Sequence, residues 1–248
     1  MSDRLSPRNI IFLILAAAAA ALFTRLGIWQ LDRRSERLAR NALVIERLAA
    51  PPVSLDALPR DTGLAHFRRV AIDGHYDYAH EIAWANRSRE GSPGVNLVTP
   101  LRRSGTDTAV LVDRGWVYAP DGENIDRPHW REPDSASAIG RVQELNQPLD
   151  QSATRLGHPD EVRWISRDSL SRWAGYPIAP YIVVLEGDTS TASLTVPARI
   201  APPPLDEGPH LSYAIQWFSF ATIALVGTIV AVFRPPTALV PLAPRPDR

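Results

Sequence analysis

The chain has 248 residues, 45% of them apolar and 22% charged, and its 27 basic and 27 acidic side chains cancel. Zero formal net charge argues against a nucleic-acid binder, which carries a basic excess. With no cysteine, and methionine only at position 1, disulfides, thiolate metal sites, cysteine nucleophiles and a Met-based copper site are excluded. The 23 prolines disfavour a mostly helical chain.

The first element in chain order is a membrane anchor over residues 10–31, after a short N-terminus, 1–9, that carries Arg4 and Arg8. Every residue from Ile10 to Phe23 is apolar, and Arg25 is the only charge before Asp32. A bilayer core needs roughly 20 apolar helical residues, and an arginine near a helix end can reach the interface. A signal peptide is the rival reading. No small-x-small cleavage site follows, however, and Trp29 suits an interfacial anchor. Residues 211–233 hold no charge and form the second span. Two spans put both termini on one side and residues 32–210 on the other. Arg4, Arg8, Arg234, Arg245 and Arg248 tie with Arg33, Arg34, Arg37, Arg40 and Arg199, so flanking arginines leave the orientation open.

The central segment reads as one α+β domain, mainly antiparallel β. Leu38–Leu48 continues the first anchor as an exposed helix, and Pro51 and Pro52 end it. Strands are expected at 67–72, 76–84, 95–101, 109–118, 138–145, 181–186 and 193–200. Asp73-Gly74 and Gly91-Ser92-Pro93-Gly94 are expected turns. A short helix is expected at 169–174 with Asp168 as its N-cap. Pro202–Pro204 reads as a stiff tether, and the proline-rich tail, within 234–248, as disordered. Barrel and open sheet both remain open.

Four stretches together carry a family resemblance. They are Leu26-Gly27-Ile28-Trp29-Gln30-Leu31-Asp32-Arg33; Phe67-Arg68-Arg69-Val70 with Gly74 and Tyr76; Val112-Asp113-Arg114-Gly115-Trp116-Val117; and His210-Leu211-Ser212-Tyr213-Ala214-Ile215-Gln216-Trp217-Phe218. In order, spacing and two-anchor layout the chain resembles the surfeit-one family from about Leu26 to Phe233. The resemblance implies an assembly factor for haem–copper, chiefly aa3-type, cytochrome c oxidase. It acts while haem a enters the catalytic subunit. It implies the catalytic subunit as partner, with haem A synthase as a second one, and membrane lipid around both anchors. It places the central domain on the periplasmic side of the cytoplasmic membrane. Some bacterial members are thought to bind haem a through the histidine that opens span two, here His210. The chain departs from the family pattern at Asp113 (usually Asn), Tyr118 (proline nearby) and Arg37 (lysine).

The residues' own chemistry fits that reading. As a helix at about 100° per residue, span two sets His210, Tyr213, Ala214, Trp217, Ala221, Ala224 and Thr228 on one face. Small residues permit close helix approach in lipid. Antiparallel spans bring Trp29 and Gln30 to the level of His210, with Arg25 about one turn deeper and Arg33 and Arg34 just outside. A neutral imidazole ligates haem iron, Tyr213, Trp217 and Trp29 can wall a macrocycle, and Arg25, Arg33 and Arg34 can pair with propionates. The bland alternative makes His210 a helix-start residue and the tryptophans belt anchors.

Arg114 and Trp116 read as partner-binding anchors, or else as a carboxylate-paired arginine and a core tryptophan. His75, Asp77 and Glu81 share a strand face by period two, which reads first as a solvated face and only second as a metal site. No catalytic residue emerges: there is no Gly-x-Ser-x-Gly elbow, no paired zinc histidines and no phosphate-cradling loop. Two rivals remain. One is a scaffold that never touches haem; the other is a membrane-anchored hydrolase, which would need an open polar cleft around His75 or His158.

Overall fold

The computed structural model describes residues 7–145, 154–155, 158–162, 165–189 and 194–233. The tail expected from Pro235, residue 193 of the last expected strand and the side chain of His158 lie outside that description. In chain order the elements are α1 (Pro7–Ala49), β1 (Val53–Ser54), α2 (Thr62–Ala65), β2 (Arg69–Tyr76), β3 (Ile82–Arg89), β4 (Ser92–Arg102), β5 (Ala109–Tyr118), β6 (Ser135–Glu144), β7 (Thr154–Arg155), β8 (His158–Val162), α3 (Arg167–Ala174), β9 (Ile178–Leu185) and α4 (His210–Phe233). They fall into two units, one comprising the chain up to Ala42 and from Leu205 onward, the other Leu43–Pro204.

The first unit is a helix pair. Both α1 and α4 are long and apolar enough to cross a membrane. At 43 residues, α1 extends about 65 Å, twice the ~30 Å of a bilayer core. It therefore divides into an apolar N-terminal half and a polar, arginine-rich continuation, as Leu38–Leu48 suggested. On α4 the buried residues are Ala214, Ala221 and Thr228, seven apart, which is the seam of a heptad-like packing. On α1 they are Ala20 and Gly27, again seven apart. Gly27 is needed there: a Cβ would stand 2.7 Å from the Phe218 ring. Phe23 stacks on Trp217 at 5.7 Å in the same seam.

The second unit is a closed β-barrel. Strand order runs β1-β2-β6-β9-β5-β4-β3-β8-β7, and β2 also pairs with β4, closing a ring of β2, β6, β9, β5 and β4. The closure is short, His75 opposite Arg102 and Tyr76 opposite Leu101. It depends on Gly74, where a Cβ would collide with the Arg102 carbonyl oxygen. Gly74 is thus a strand residue at the barrel seam and not part of the turn expected with Asp73. Most pairings are antiparallel, but β5–β9, β1–β2 and β3–β8 are parallel.

Period-two alternation sorts the apolar residues onto two faces. Val70, Ile72, Leu101, Val110, Val112, Val142, Val183 and Leu185 fill the barrel, with every ring strand contributing. Ile82, Val98, Leu111 and Ile182 form an outer layer with Ile165, just before α3, and Leu170 of α3. β5 is covered on both sides, hence its burial from Ala109 through Val117.

Other local expectations are corrected. Phe67 adopts a left-handed φ of 64°, and β2 begins at Arg69. A 3-10 turn at Tyr78–His80 interrupts the strand expected over 76–84. The β3–β4 hairpin turns on Glu90 (φ 51°) and Gly91 (φ 81°) alone, as a two-residue primed turn requires. Gly94 lies in β4, with the Trp116 indole packed where a Cβ would be. Ser166, not Asp168, caps α3, accepting from Ser169 N. Of the strand expected at 193–200 the described part makes one bridge, Ala198 to Trp116.

Candidate functional site

α4 begins at His210. Its half-buried imidazole meets the polar continuation of α1. Nδ1 lies 2.8 Å from Gln30 Oε1. An amide oxygen only accepts, so this contact holds the neutral ring's proton on Nδ1 and leaves Nε2 with a free lone pair. Gly208 (φ 68°) flanks the Cδ2–Nε2 edge, where a Cβ would stand 3.3 Å from Cδ2. Its backbone angle and lack of side chain keep that edge clear.

The residues leading into α4 are clamped to α1. Arg34 donates from Nε (3.1 Å) and Nη2 (2.6 Å) to Glu207 Oε2. Arg37 donates to the Asp206 carbonyl (2.9 Å) and to its carboxylate (2.5 Å). Asn41 donates to the same carbonyl. Gln30, Arg34, Arg37 and Asn41 follow at three- and four-residue spacing, which keeps them on one helix face.

The expected haem cluster therefore divides. Gln30, Arg34 and His210 come together. Trp217 packs in the helix seam against Phe23 and Phe220, and Tyr213 is exposed on α4. Arg25, Trp29 and Arg33 follow one another at four-residue spacing along a different face of α1. Trp29 is exposed with the Arg33 guanidinium 5.6 Å from its ring, and Arg33 pairs with Glu36 at 2.8 Å. Sequence reasoning missed the roles of Gln30 and Arg37. Their signal was present, since both lie on the α1 face continued from Gly27.

Arg114 and Trp116 are not on the surface: Arg114 is 0% and Trp116 7% exposed. Leu97 pairs with Gly115 and Val98 with Asp113, so Arg114 is the extra residue of a β-bulge. The bulge sends the guanidinium inward to Glu81 (2.6 Å), Thr99 (2.9 Å), Glu132 (3.0 Å) and the Trp130 carbonyl (2.7 Å). Arg199 adds a second cation on Glu132 and also donates to the Arg114 carbonyl. Gly115 lets residue 198 approach, as a Cβ would be 2.5 Å from the Ala198 oxygen. This buried network was foreshadowed only by the carboxylate-paired alternative for Arg114.

The 3-10 turn also separates His75, Asp77 and Glu81. Glu81 enters the Arg114 network, while Asp77 accepts from Tyr176 (2.7 Å) and contacts His80 Nδ1 (2.8 Å). Among the described residues no group of three or more His, Asp or Glu is placed to hold a metal ion. Burial tends to raise the Asp77 carboxyl, but the hydrogen bonds from Tyr176 and His80 outweigh it and hold it below its ordinary value.

Comparison with known proteins accounts for these elements together. The model of the SURF1 family matches residues 17–222, from within α1 through the barrel to within α4. The chain belongs to the SURF1 family. Members are known in general as cytochrome c oxidase assembly factors. A SURF1-like protein of Monosiga brevicollis is 25% identical over 219 residues, covering 81% of this chain and 79% of that protein. An uncharacterized SURF1-like protein of Mycobacterium bovis is 28% identical over 223 residues, covering 87% and 79%. Surfeit locus protein 1 of Mus musculus is 31% identical over 120 residues, covering 43% and 38%. The family names fit an assembly factor better than an enzyme.

Proposed function

We propose that this SURF1-family protein helps assemble an aa3-type cytochrome c oxidase by holding haem a for insertion into the catalytic subunit. The observation that carries the reading is the 2.8 Å contact between His210 Nδ1 and Gln30 Oε1. It orients the ring and fixes the tautomer whose Nε2 can ligate iron, the usual arrangement behind a metal-bound histidine. Haem a, when bound, supplies the iron that this nitrogen ligates.

The donor set fits such a group. Arg34 and Arg37 stand at the same helix end, and their present partners Glu207 and Asp206 are 55% and 64% exposed. Exposed pairs are worth little, so propionates can replace those carboxylates at small cost. Tyr213, exposed one turn along α4, offers an aromatic wall. Both helices would span the cytoplasmic membrane, with the barrel on the extracytoplasmic side to meet the catalytic subunit.

The test is the optical spectrum of the full-length protein, purified in detergent after co-production with the haem A pathway. Wild type should carry a low-spin haem a band, His210→Ala should lose or shift it, and Gln30→Leu should weaken retention about 10–100-fold, as loss of a ligand's hydrogen-bond partner does. A haem-free wild type would favour the scaffold reading. Equal haem in wild type and His210→Ala would remove His210 as the ligand.

A further inference from the structure

The barrel carries a cleft that the helix-pair chemistry does not use. Its volume is about 520 Å³, and Trp84, Arg87, Asn96, Asp113, Trp116 and Pro202–Pro204 are among the residues that line it. Three features make it more than a surface hollow.

First, Arg87 lies in it and, among the described residues, makes no salt bridge. The guanidinium rests on the Trp84 ring, 3.3 Å from its centroid, and its Nε is buried with no hydrogen-bond partner. Burial lowers the Arg87 pKa, and the charge on Asp113 only partly opposes the shift. Three other arginines of this barrel pair with carboxylates: Arg114 with Glu81 and Glu132, Arg69 with Glu186, Arg103 with Asp56. Arg87, only partly buried, has no such partner among the described residues. A β-bulge between Trp84 and Arg87, with Asn86 at φ 57°, sets the two side chains one upon the other.

Second, Trp116 is among the lining residues with its indole nitrogen edge packed on Gly94, so what it contributes to the wall is ring surface. The guanidinium of Arg87 only donates, so what it lacks is an acceptor.

Third, the outer wall is apolar and held in place. Arg141 donates to the carbonyls of Ile200 (2.8 Å) and Ala201 (3.1 Å), fixing the segment that runs into Pro202–Pro204. Indole rings and prolines then face a flat or chain-like apolar body.

We propose that this cleft binds a small amphipathic carboxylate, its oxygens on the Nη1 and Nη2 ends of the Arg87 guanidinium and its apolar body against the tryptophans and the prolines. The end-on edge of a guanidinium, Nη1 and Nη2, matches two carboxylate oxygens. Asp113, 2% exposed and engaged with Asn96 Nδ2 and Gly115 N, adds a like charge that limits affinity. The site is independent of haem holding.

Ligand-observed fluorine NMR on the full chain in lipid nanodiscs tests it, with 4-(trifluoromethyl)benzoate as probe. Its neutral analogue 4-(trifluoromethyl)benzyl alcohol and inorganic phosphate are the comparisons. Saturable binding of the benzoate is expected, at least tenfold tighter than the alcohol, with phosphate a poor competitor. Arg87→Gln should weaken it at least tenfold, and Arg87→Lys, which keeps the charge but loses the fork, severalfold. Asp113→Asn should tighten it, and Arg103→Gln, outside the cleft, should change nothing. No saturable binding, equal binding of the alcohol, or an unchanged Arg87→Gln would overturn the proposal. Phosphate competing as well as the benzoate would overturn the apolar half of it.

Discussion

His210 and Arg114 are two polar side chains brought in by irregularities of the fold, a helix start in one unit and a β-bulge in the other, and they are treated in opposite ways. Arg114 is sealed in the barrel with Nε, Nη1 and Nη2 all matched to acceptors. His210 is half exposed, with Nδ1 engaged and Nε2 left available beside Gly208. The first arrangement has no capacity left for a ligand and so reads as architecture. The second engages one nitrogen and leaves the other open, the arrangement that the proposed ligand role requires. The difference lies in saturation and not in residue type: an arginine in a recognisable motif can be structural, and a lone histidine at a helix end can be the reactive group.

That contrast breaks first at Glu81. Removing one partner of a buried ion pair strands the other charge and costs about 3–5 kcal/mol. Glu81→Ala should lower the stability of the barrel by that amount in guanidinium titrations followed by tryptophan fluorescence. His210→Ala should leave the same transition unchanged. A Glu81→Ala cost under ~1 kcal/mol would mean that Glu132 alone compensates Arg114, and the network would no longer be a structural keystone.

Asp113 gives the next largest effect and sharpens the comparison within the barrel itself. Burial pushes its carboxyl up to about 6, and the hydrogen bonds of Asn96 and Gly115 with the charges of Arg87 and Arg141 do not offset it. The unfolded value is near 4. An acid whose folded pKa is raised stabilises the fold fully below pH 4 and loses that contribution as pH rises through 6. Two units amount to about 2–3 kcal/mol. Asp113→Asn does not titrate, so relative to wild type it should gain about that much between pH 4 and pH 7.5. Parallel stability curves for the two proteins would show that Asp113 is not desolvated as the structure places it.

Much of this was legible in the residues because hydrophobic runs and periodicity speak directly. The two apolar helices, the extension of α1, the strand at Ala109–Tyr118 and the seam face of α4 follow from counting. Barrel closure does not, because it turns on Gly74 approaching the Arg102 carbonyl, a contact between residues far apart in the chain. The bulge at Arg114 is equally silent, since a one-residue slip in register leaves no compositional trace. At the helix pair, the aromatic and charged character of Trp29 and Arg25 drew the expectation toward a different face of α1 from the one that meets His210. Helical phase from Gly27 would have selected Gln30, Arg34 and Arg37.

That phase can be tested through Gly27 itself. Gly27→Leu would drive a side chain into the Phe218 ring, an overpacking worth about 1–3 kcal/mol. The cysteine-free sequence allows spin labels at exposed Leu31 and Leu211. Their distance distribution should lengthen and broaden in the variant, with loss of the His210–Gln30 contact, while the barrel's unfolding transition stays fixed. An unchanged distribution would mean that Gly27 is not a close-approach position.

The smallest effect belongs to Glu207. Its pair with Arg34 joins residues 173 apart in sequence, yet Glu207 is 55% and Arg34 31% exposed. Both guanidinium donors reach one carboxylate oxygen, so the fork-on-fork geometry that strengthens such pairs is absent. Glu207→Gln should therefore cost no more than about 0.5 kcal/mol and should shift the Leu31–Leu211 distance little. The same variant should retain haem a at least as well as wild type, because it frees Arg34 for a propionate. If retention falls instead, Arg34 serves to fix the segment before His210 and not to hold the ligand's carboxylates, and the role of the helix-end arginines passes from binding to positioning.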